Sequence, residues 1–309
     1  MTCILTTHSQ NHPLLQALSE LNVRIIYKDF RHITHKDLKG TTAYLSNLFT
    51  ELKYPYHLYK LSKALKSRKI PYVFWNRDAP WNCGMKSRHR WVLNIINPID
   101  IYFTHSGQEN IPAKVTKYLP NAARVDYIFN GDMNIFRNES HYSYDVCFMG
   151  ALANKKRFGC RDRHDFLSTL QQQLQNSSPR LRFKIVDTSV ERLSLTEQLD
   201  LIQRSKININ YGANCDLPNL RSWGLPERVF GIPASGAFLL TEHRECLRDT
   251  FSIDTYDYFS SPEECVEKII FYLCNLDILR SRAETLHNNV VAKHTYINRA
   301  QAFLEKLSN

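Results

Sequence analysis

Leu225-Pro226-Glu227-Arg228-Val229-Phe230-Gly231-Ile232-Pro233-Ala234-Ser235-Gly236-Ala237-Phe238-Leu239-Leu240-Thr241 decides the fold. Proline suits the first turn of a helix and glycine the position just past its end, so Pro226 to Gly236 reads as a short helix. Ala237–Thr241 is then a buried strand, bounded by turn residues and rich in apolar side chains. Upstream, Lys206–Tyr211 alternates polar and apolar residues at the period of a strand. Strand, helix and strand in that order make a crossover unit, the connection that parallel strands require.

Working outward, the same unit recurs. Tyr144–Met149 reads as a strand ending at Gly150, and Arg161–Leu174 as a helix with Phe166, Leu167, Leu170 and Leu174 on one face. Arg182–Val186 is another strand, and Ser194-Leu195-Thr196-Glu197 is a capping box that opens a helix. Ser261 caps a helix with Pro262 at its first position, and helices over Ile278–Ala292 and Tyr296–Leu307 follow. In the first 120 residues, strands are predicted at Cys3–Thr6, Val23–Tyr27, Pro71–Trp75 and Ile99–Thr104. They alternate with helices at Pro13–Leu21, Tyr56–Ser67 and Lys86–Ile95. The turn cluster Asn130-Gly131-Asp132 and polar residues 137–141 interrupt the alternation. The reading is an α/β chain with domains at 1–120 and 144–309 joined by a linker over 121–143.

Hydrophobic residues make up 43% and charged residues 23% of the 309, which excludes wholesale disorder. No apolar run approaches the roughly 18 residues of a membrane span. The N-terminus lacks the basic and apolar regions of a signal peptide. None of the eight cysteines forms a C-x-x-C pair, so reduced thiols and a cytoplasmic location are expected. A net charge of +10 points to an anionic partner: nucleotide diphosphate, nucleic acid or an anionic membrane touched peripherally. A merely basic, solvated surface is the plain alternative.

The densest basic cluster, Lys155, Lys156, Arg157, Arg161 and Arg163, follows the strand ending at Gly150. Ligands of open α/β sheets sit beyond the carboxyl ends of strands, and helix N-termini there attract anions. Diphosphate binding is therefore expected ahead of nucleic acid, with a solvated loop balanced by Asp162 and Asp165 as the alternative. On the acceptor side, Asp78 and His105 follow the third and fourth predicted strands, and His8 follows the first. Each is a candidate group to handle a proton. For Asp78 the alternative is a turn-shaping carboxylate before Pro80. For His105 it is a satisfied strand-end residue. Histidines 8/12 and 32/35 have metal-like spacing without a third ligand in view, so no metal site is expected. The chain also lacks an Asp-x-Asp for a divalent ion.

The stretch from Arg228 to Thr241 resembles the C-terminal domain of the CgeB-like, group 1 glycosyltransferases. Their run R-x-F-E-x-x-A-x-G-A-F-L-L-T is matched at Arg228, Phe230, Ala234, Gly236 and Ala237–Thr241. Ser261-Pro262-Glu263-Glu264, His294-Thr295-Tyr296 and Tyr144–Gly150 extend the likeness over 144–305. Val73–Pro80 and Asp100–Ser106 resemble the N-terminal half more loosely. The resemblance implies a GT-B-like fold, two facing Rossmann-like domains with parallel sheets. It implies a hexosyltransferase-like enzyme that needs no cofactor and takes a nucleotide diphosphate sugar to a sugar, lipid-linked or protein acceptor. Lys155, Arg161, Arg163 and Arg228 would neutralise the diphosphate, with Glu227, Asn210 and Arg221 near the ribose and sugar. One departure stands out: Gly231 occupies the position of the family's ribose-binding Glu. Glu227, one helical turn earlier, is the candidate replacement. The alternative is a non-catalytic module that binds a nucleotide or anionic polymer on the same fold.

Overall fold

The computed structural model describes residues 2–78, 85–106, 111–152, 163–212, 224–245 and 256–308. They form two compact units. Unit 1 holds the described residues up to Asn121, Gly224 and the final helix from Tyr296; unit 2 holds the remainder, from Ala122 to Thr295.

Unit 1 is built on six parallel strands, β1 (Cys3–Thr6), β2 (Arg24–Tyr27), β3 (Ala43–Ser46), β4 (Tyr72–Asn76), β5 (Ile101–Thr104) and β6 (Val115–Tyr118), in the order β2-β1-β3-β4-β5-β6. Register pairs Leu5 with Tyr44, Leu45 with Val73 and Asn76 with Thr104. Helices α1 (Pro13–Glu20), α2 (Leu48–Glu51), α3 (Pro55–Ser67) and α4 (Ser87–Ile96) connect them. One face of the sheet is covered by α3 and α4, whose Leu58, Leu61, Leu65 and Leu93 join Leu5, Tyr44, Phe74 and Tyr102 in one core.

Unit 2 carries β7 (Tyr144–Gly150), β8 (Phe183–Asp187), β9 (Ser205–Asn210), β10 (Leu239–Glu242) and β11 (Tyr258–Phe259), again all parallel, in the order β11-β10-β9-β7-β8. Helices α5 (Arg163–Ser177), α6 (Leu195–Gln203), α7 (Arg228–Ala234), α8 (Pro262–Cys274) and α9 (Leu276–Lys293) flank this sheet. The Ser194–Glu197 capping box forms in full, with Glu197 Oε2 accepting from Ser194 N–H at 2.7 Å.

Besides the short edge strands β6 and β11, which the sequence reading also lacked, three findings depart from it. Strand β3 lies between β1 and β4, so Asp78 and His105 follow the fourth and fifth strands. Ala and Ser at its ends weaken the strand signal, and only burial on both faces, complete from Ala43 to Ser46, explains the element. The span expected to be a linker instead packs within unit 2. Phe136 is buried there, and Phe129 N–H donates to Ala234 O at 2.9 Å. The last helix, α10 (Tyr296–Ser308), belongs to unit 1 and not to the C-terminal domain. Its Phe303 packs on Phe103 with ring centroids 5.0 Å apart, Arg77 donates to Tyr296 Oη at 3.0 Å, and Arg299 Nε donates to Pro120 O and Asn121 O.

Phe303 has no exposed surface, so Phe303→Ala should destabilise the chain by about 3–5 kcal/mol in denaturant unfolding. Val190→Ala, at a position 82% exposed, should shift the midpoint little.

Candidate functional site

In unit 2 the carboxyl end of β7 is organised by Gly150. A Cβ built there would lie 2.9 Å from Arg228 Nη1, so the absence of a side chain lets the guanidinium lie across the strand end. Arg228 Nη1 donates to Met149 O at 2.9 Å, and its guanidinium carbon lies 5.7 Å from the Phe148 ring centroid. Burial lowers its pKa to about 10, with nearby Arg244 acting in the same direction and Tyr127 against it. Arg228 thus remains a cation near neutral pH in poorly solvated surroundings, a state that an anion would stabilise.

Beside it a cavity of about 280 Å³ opens among α6, α7 and the turn Val125–Tyr127. Gly150, Thr188, Glu227, Arg228 and Gly231 are among its walls. Glu227 and Gly231 therefore line one cavity, joined by the helical bond from Gly231 N–H to Glu227 O at 2.9 Å. A Cβ on Gly231 would come within 3.1 Å of Tyr127 Cδ1. The small residue leaves room for the Tyr127 ring, whose hydroxyl lies 3.2 Å from Gln198 Oε1.

The other donor-side candidates are placed differently. Arg163, at the start of α5, is buried, and its guanidinium donates to Ala151 O at 2.8 Å, Tyr211 O at 3.1 Å and Gly212 O at 2.9 Å. That posts it as a tie between the ends of β7 and β9, a role unlike the diphosphate contact expected from the sequence. Asn210, ending β9, is not among the cavity's walls. Its Nδ2 donates to Thr241 Oγ1 at 2.8 Å, while its buried Oδ1 accepts no hydrogen bond among the described residues. Lys155, Arg161 and Arg221 lie outside the described residues, as do Lys156 and Arg157. Glu242, ending β10, and Arg244, two residues past it, are residues the sequence reading missed. Both are buried, 4.0 Å apart, and Glu242 Oε2 accepts from Gly212 N–H at 3.1 Å. Their position at the carboxyl end of a parallel strand was the available signal.

In unit 1 the singled-out residues share the carboxyl edge of the sheet. Asn76 links two of them: its carbonyl lies 3.2 Å from His105 Nδ1, and its Oδ1 accepts from Asp78 N–H at 3.2 Å. Asp78 is exposed, whereas His105 is buried against Gly224, where a Cβ would overlap the imidazole. His8 Nε2 meets Ser46 O at 2.9 Å; a carbonyl only accepts, so the proton sits on Nε2 and Nδ1 is the basic nitrogen. The His8 and His12 rings lie 4.3 Å apart. Burial, opposed by the Ser46 bond and aided by Arg77, lowers the His8 pKa to about 4. His12 is pushed well down by burial, His8 and Arg77. Behind this edge Glu51 is fully buried and accepts from Thr7 Oγ1 at 3.1 Å, Tyr44 Oη at 2.6 Å, Asn47 N–H at 3.0 Å and Tyr72 Oη at 2.5 Å. It braces the ends of β1, β3 and β4. Among the described residues no group of three His, Cys, Asp or Glu side chains is placed to hold a metal ion.

Two parallel sheets of six and five strands, flanked by helices, are the GT-B architecture of glycosyltransferases. Residues 161–305, just under half of the chain, match the family described as Glycosyl transferase-like. Among solved structures, Anabaena HepE in complex with UDP and glucose superposes with a TM-score of 0.58 at 10% identity, covering 100% of both chains. An alpha-glucosyltransferase in complex with UDP and a 13-mer DNA gives a TM-score of 0.60 at 10% identity, covering 100% of this chain and 99% of the other. Sucrose-phosphate synthase from Thermosynechococcus elongatus gives 0.57 at 11%, covering 99% and 98%. At these identities the likeness is one of fold. No curated protein matches the chain in sequence.

Two outcomes follow from this geometry. Gly231→Glu should drive its side chain into Tyr127 and cost about 1–3 kcal/mol, and Tyr127→Ala in the same chain should relieve part of that cost, a coupling that a double-mutant cycle of unfolding free energies reads directly. For His8, the folded pKa of about 4 lies below the unfolded value near 6.5, so the unfolded chain binds more protons between them. Its contribution is complete above pH 6.5 and is lost as pH falls towards 4. It amounts to about 3 kcal/mol and should shrink in His8→Gln, as denaturant titrations across that range would show.

Proposed function

We propose that the chain is a glycosyltransferase that moves a sugar from a nucleotide diphosphate donor to an acceptor hydroxyl. The observation that carries this reading is the Arg228 guanidinium laid across Gly150, a half-buried cation at a strand's carboxyl end beside a cavity. The family match over 161–305 and the fold shared with UDP-bound glycosyltransferase structures support it. In this reading the donor phosphates meet Arg228 at the carboxyl end of β7, and the nucleoside enters the adjoining cavity. Glu227, on the cavity wall, accepts from the ribose hydroxyls in place of the residue that Gly231 lacks.

The leaving diphosphate gains charge as the glycosidic bond breaks, and a preorganised guanidinium stabilises that charge without reorganising. This is the task a divalent ion performs elsewhere, so transfer here proceeds without one. On the acceptor side, exposed Asp78 takes the hydroxyl proton in an inverting reaction. Buried His105, bonded to the same Asn76, positions that strand end. Neutral His8 lies on the same edge with Nδ1 as its basic nitrogen. The tight packing of Tyr127 on Gly231 favours a second reading, a module that binds the nucleotide without turning it over.

Calorimetric titration with UDP, GDP and dTDP tests the donor site. Arg228→Ala should lose at least roughly tenfold in affinity, from about 1.5–3 kcal/mol for a charged hydrogen bond, and unchanged affinity sinks the placement. Turnover of the matching nucleotide sugar should persist in EDTA. Tight binding with no turnover of any donor, with or without acceptor, establishes the module instead.

A further inference from the structure

The net charge of +10 is not spread over the chain. Residues 53–97 hold ten Lys and Arg against Asp78 alone, a net +9. This segment contains α3 and α4, which cover the same face of the unit 1 sheet, and Lys66 Nζ donates to Asn97 O at 3.1 Å. Neither helix contains an acidic residue.

The outward faces of these helices carry large apolar side chains among the cations. On α3, Tyr56 is 62% and Tyr59 53% exposed, at the spacing of one helical turn; on α4, Trp91 is 67% and Ile95 61% exposed, again one turn apart. Lys60, Lys63, Arg88 and Arg90 are exposed beside them, and Lys60 Nζ lies 4.5 Å from the Tyr56 ring centroid. A groove of about 780 Å³ between the turn Phe30–His32 and α3 adds Arg31 and His35 to this surface. The nearby carboxylates are engaged: Asp29 pairs with Arg31 at 2.6 Å and Asp37 with Lys28 at 2.7 Å.

We propose that the outer face of α3 and α4 docks on the anionic surface of a lipid bilayer. Lysine and arginine meet the phosphates, Tyr56, Tyr59 and Trp91 take the headgroup level that amphipathic rings favour, and Ile95 enters the acyl boundary. Nucleic acid would use the cations and the rings, but it offers no partner for Ile95, which neither stacks nor hydrogen-bonds. Among the described residues no helix is long and apolar enough to cross a membrane, so the contact is peripheral. The inference is independent of the donor reading.

Co-sedimentation of the full chain with vesicles of phosphatidylcholine alone, or with phosphatidylglycerol added, tests it. Binding should require phosphatidylglycerol and weaken with salt. Lys60→Gln with Lys63→Gln should lower partitioning roughly twenty-fivefold, about fivefold for each cation removed. Trp91→Ser with Ile95→Ser should weaken binding in low and high salt alike, because that contribution is apolar. These are surface changes, and unfolding curves matching the wild type confirm that the fold is kept. Equal sedimentation with both vesicle types overturns the proposal, as do variants that partition like the wild type. So does duplex DNA that binds more tightly than the vesicles and displaces them.

Discussion

A parallel strand cannot reach its neighbour by a tight turn; the chain must cross the sheet and start again from the same end. With every strand parallel in both sheets, each loop that leaves a carboxyl end emerges on one edge, and the crossovers occupy the faces. Gly150, Asn210 and Glu242 end three such strands in unit 2. Ser46 and Asn76 end two in unit 1, with His8, Asp78 and His105 just beyond the edge. Polar groups of distant sequence positions are gathered without any element being shaped for that purpose. The first expense falls on the edge itself, where backbone carbonyls and charged side chains must satisfy one another away from water.

Arginine does much of that satisfying. Arg163 holds the carbonyls beyond β7 and β9, Arg228 holds Met149 O, and Arg299 bonds the chain at Pro120 and Asn121, while at the opposite, amino end of β9 Arg280 donates to Lys206 O at 3.0 Å. A guanidinium offers five donors in a rigid plane, so it can tie several carbonyls that no secondary structure pairs. Burial nevertheless lowers the pKa of Arg228, Arg280 and Arg299 to about 10. A carbonyl is only a dipole, and such a site still prefers a full negative charge nearby. Among these ties, Arg228 has a cavity beside it.

The fold class was legible because apolar runs such as Ala237–Thr241 and caps such as Ser194 and Ser261 are local signals. Strand β3 was not, since Ala43 and Ser46 carry little strand preference and the sheet's interior alone holds them extended. The stretch around Asn130-Gly131 read as a linker because its turns are visible in sequence, whereas the burial of Phe136 depends on residues far along the chain. In the site, Arg228 and Glu227 could be found from a helix start, but Tyr127 could not: its ring meets Gly231 across a hundred residues. Arg163 shows the converse limit. A basic residue after a strand reads as an anion ligand, and only coordinates reveal that its guanidinium bonds the carbonyls of Ala151, Tyr211 and Gly212.

The return of the last helix to unit 1 sets an order of assembly. Apart from a brief return at Gly224, the chain leaves that unit after Asn121 and rejoins it at Tyr296, so in sequence unit 2 is inserted between the segments of unit 1. During synthesis unit 2 has all its strands before the helix that seals Phe103 and Trp75 exists. Until then those aromatic faces lack their cover, and the nascent first unit presents apolar surface while its partner folds. Closing it means joining segments more than a hundred residues apart, a step whose entropic cost rises only slowly with loop length and falls further once unit 2 has folded and drawn the two junctions together. At Ala123 and Thr295 the two junctions meet in a β-bridge, with Ala123 N–H donating to His294 O at 2.8 Å. That bridge works as a clasp: it converts a long-range search into a local docking of one helix.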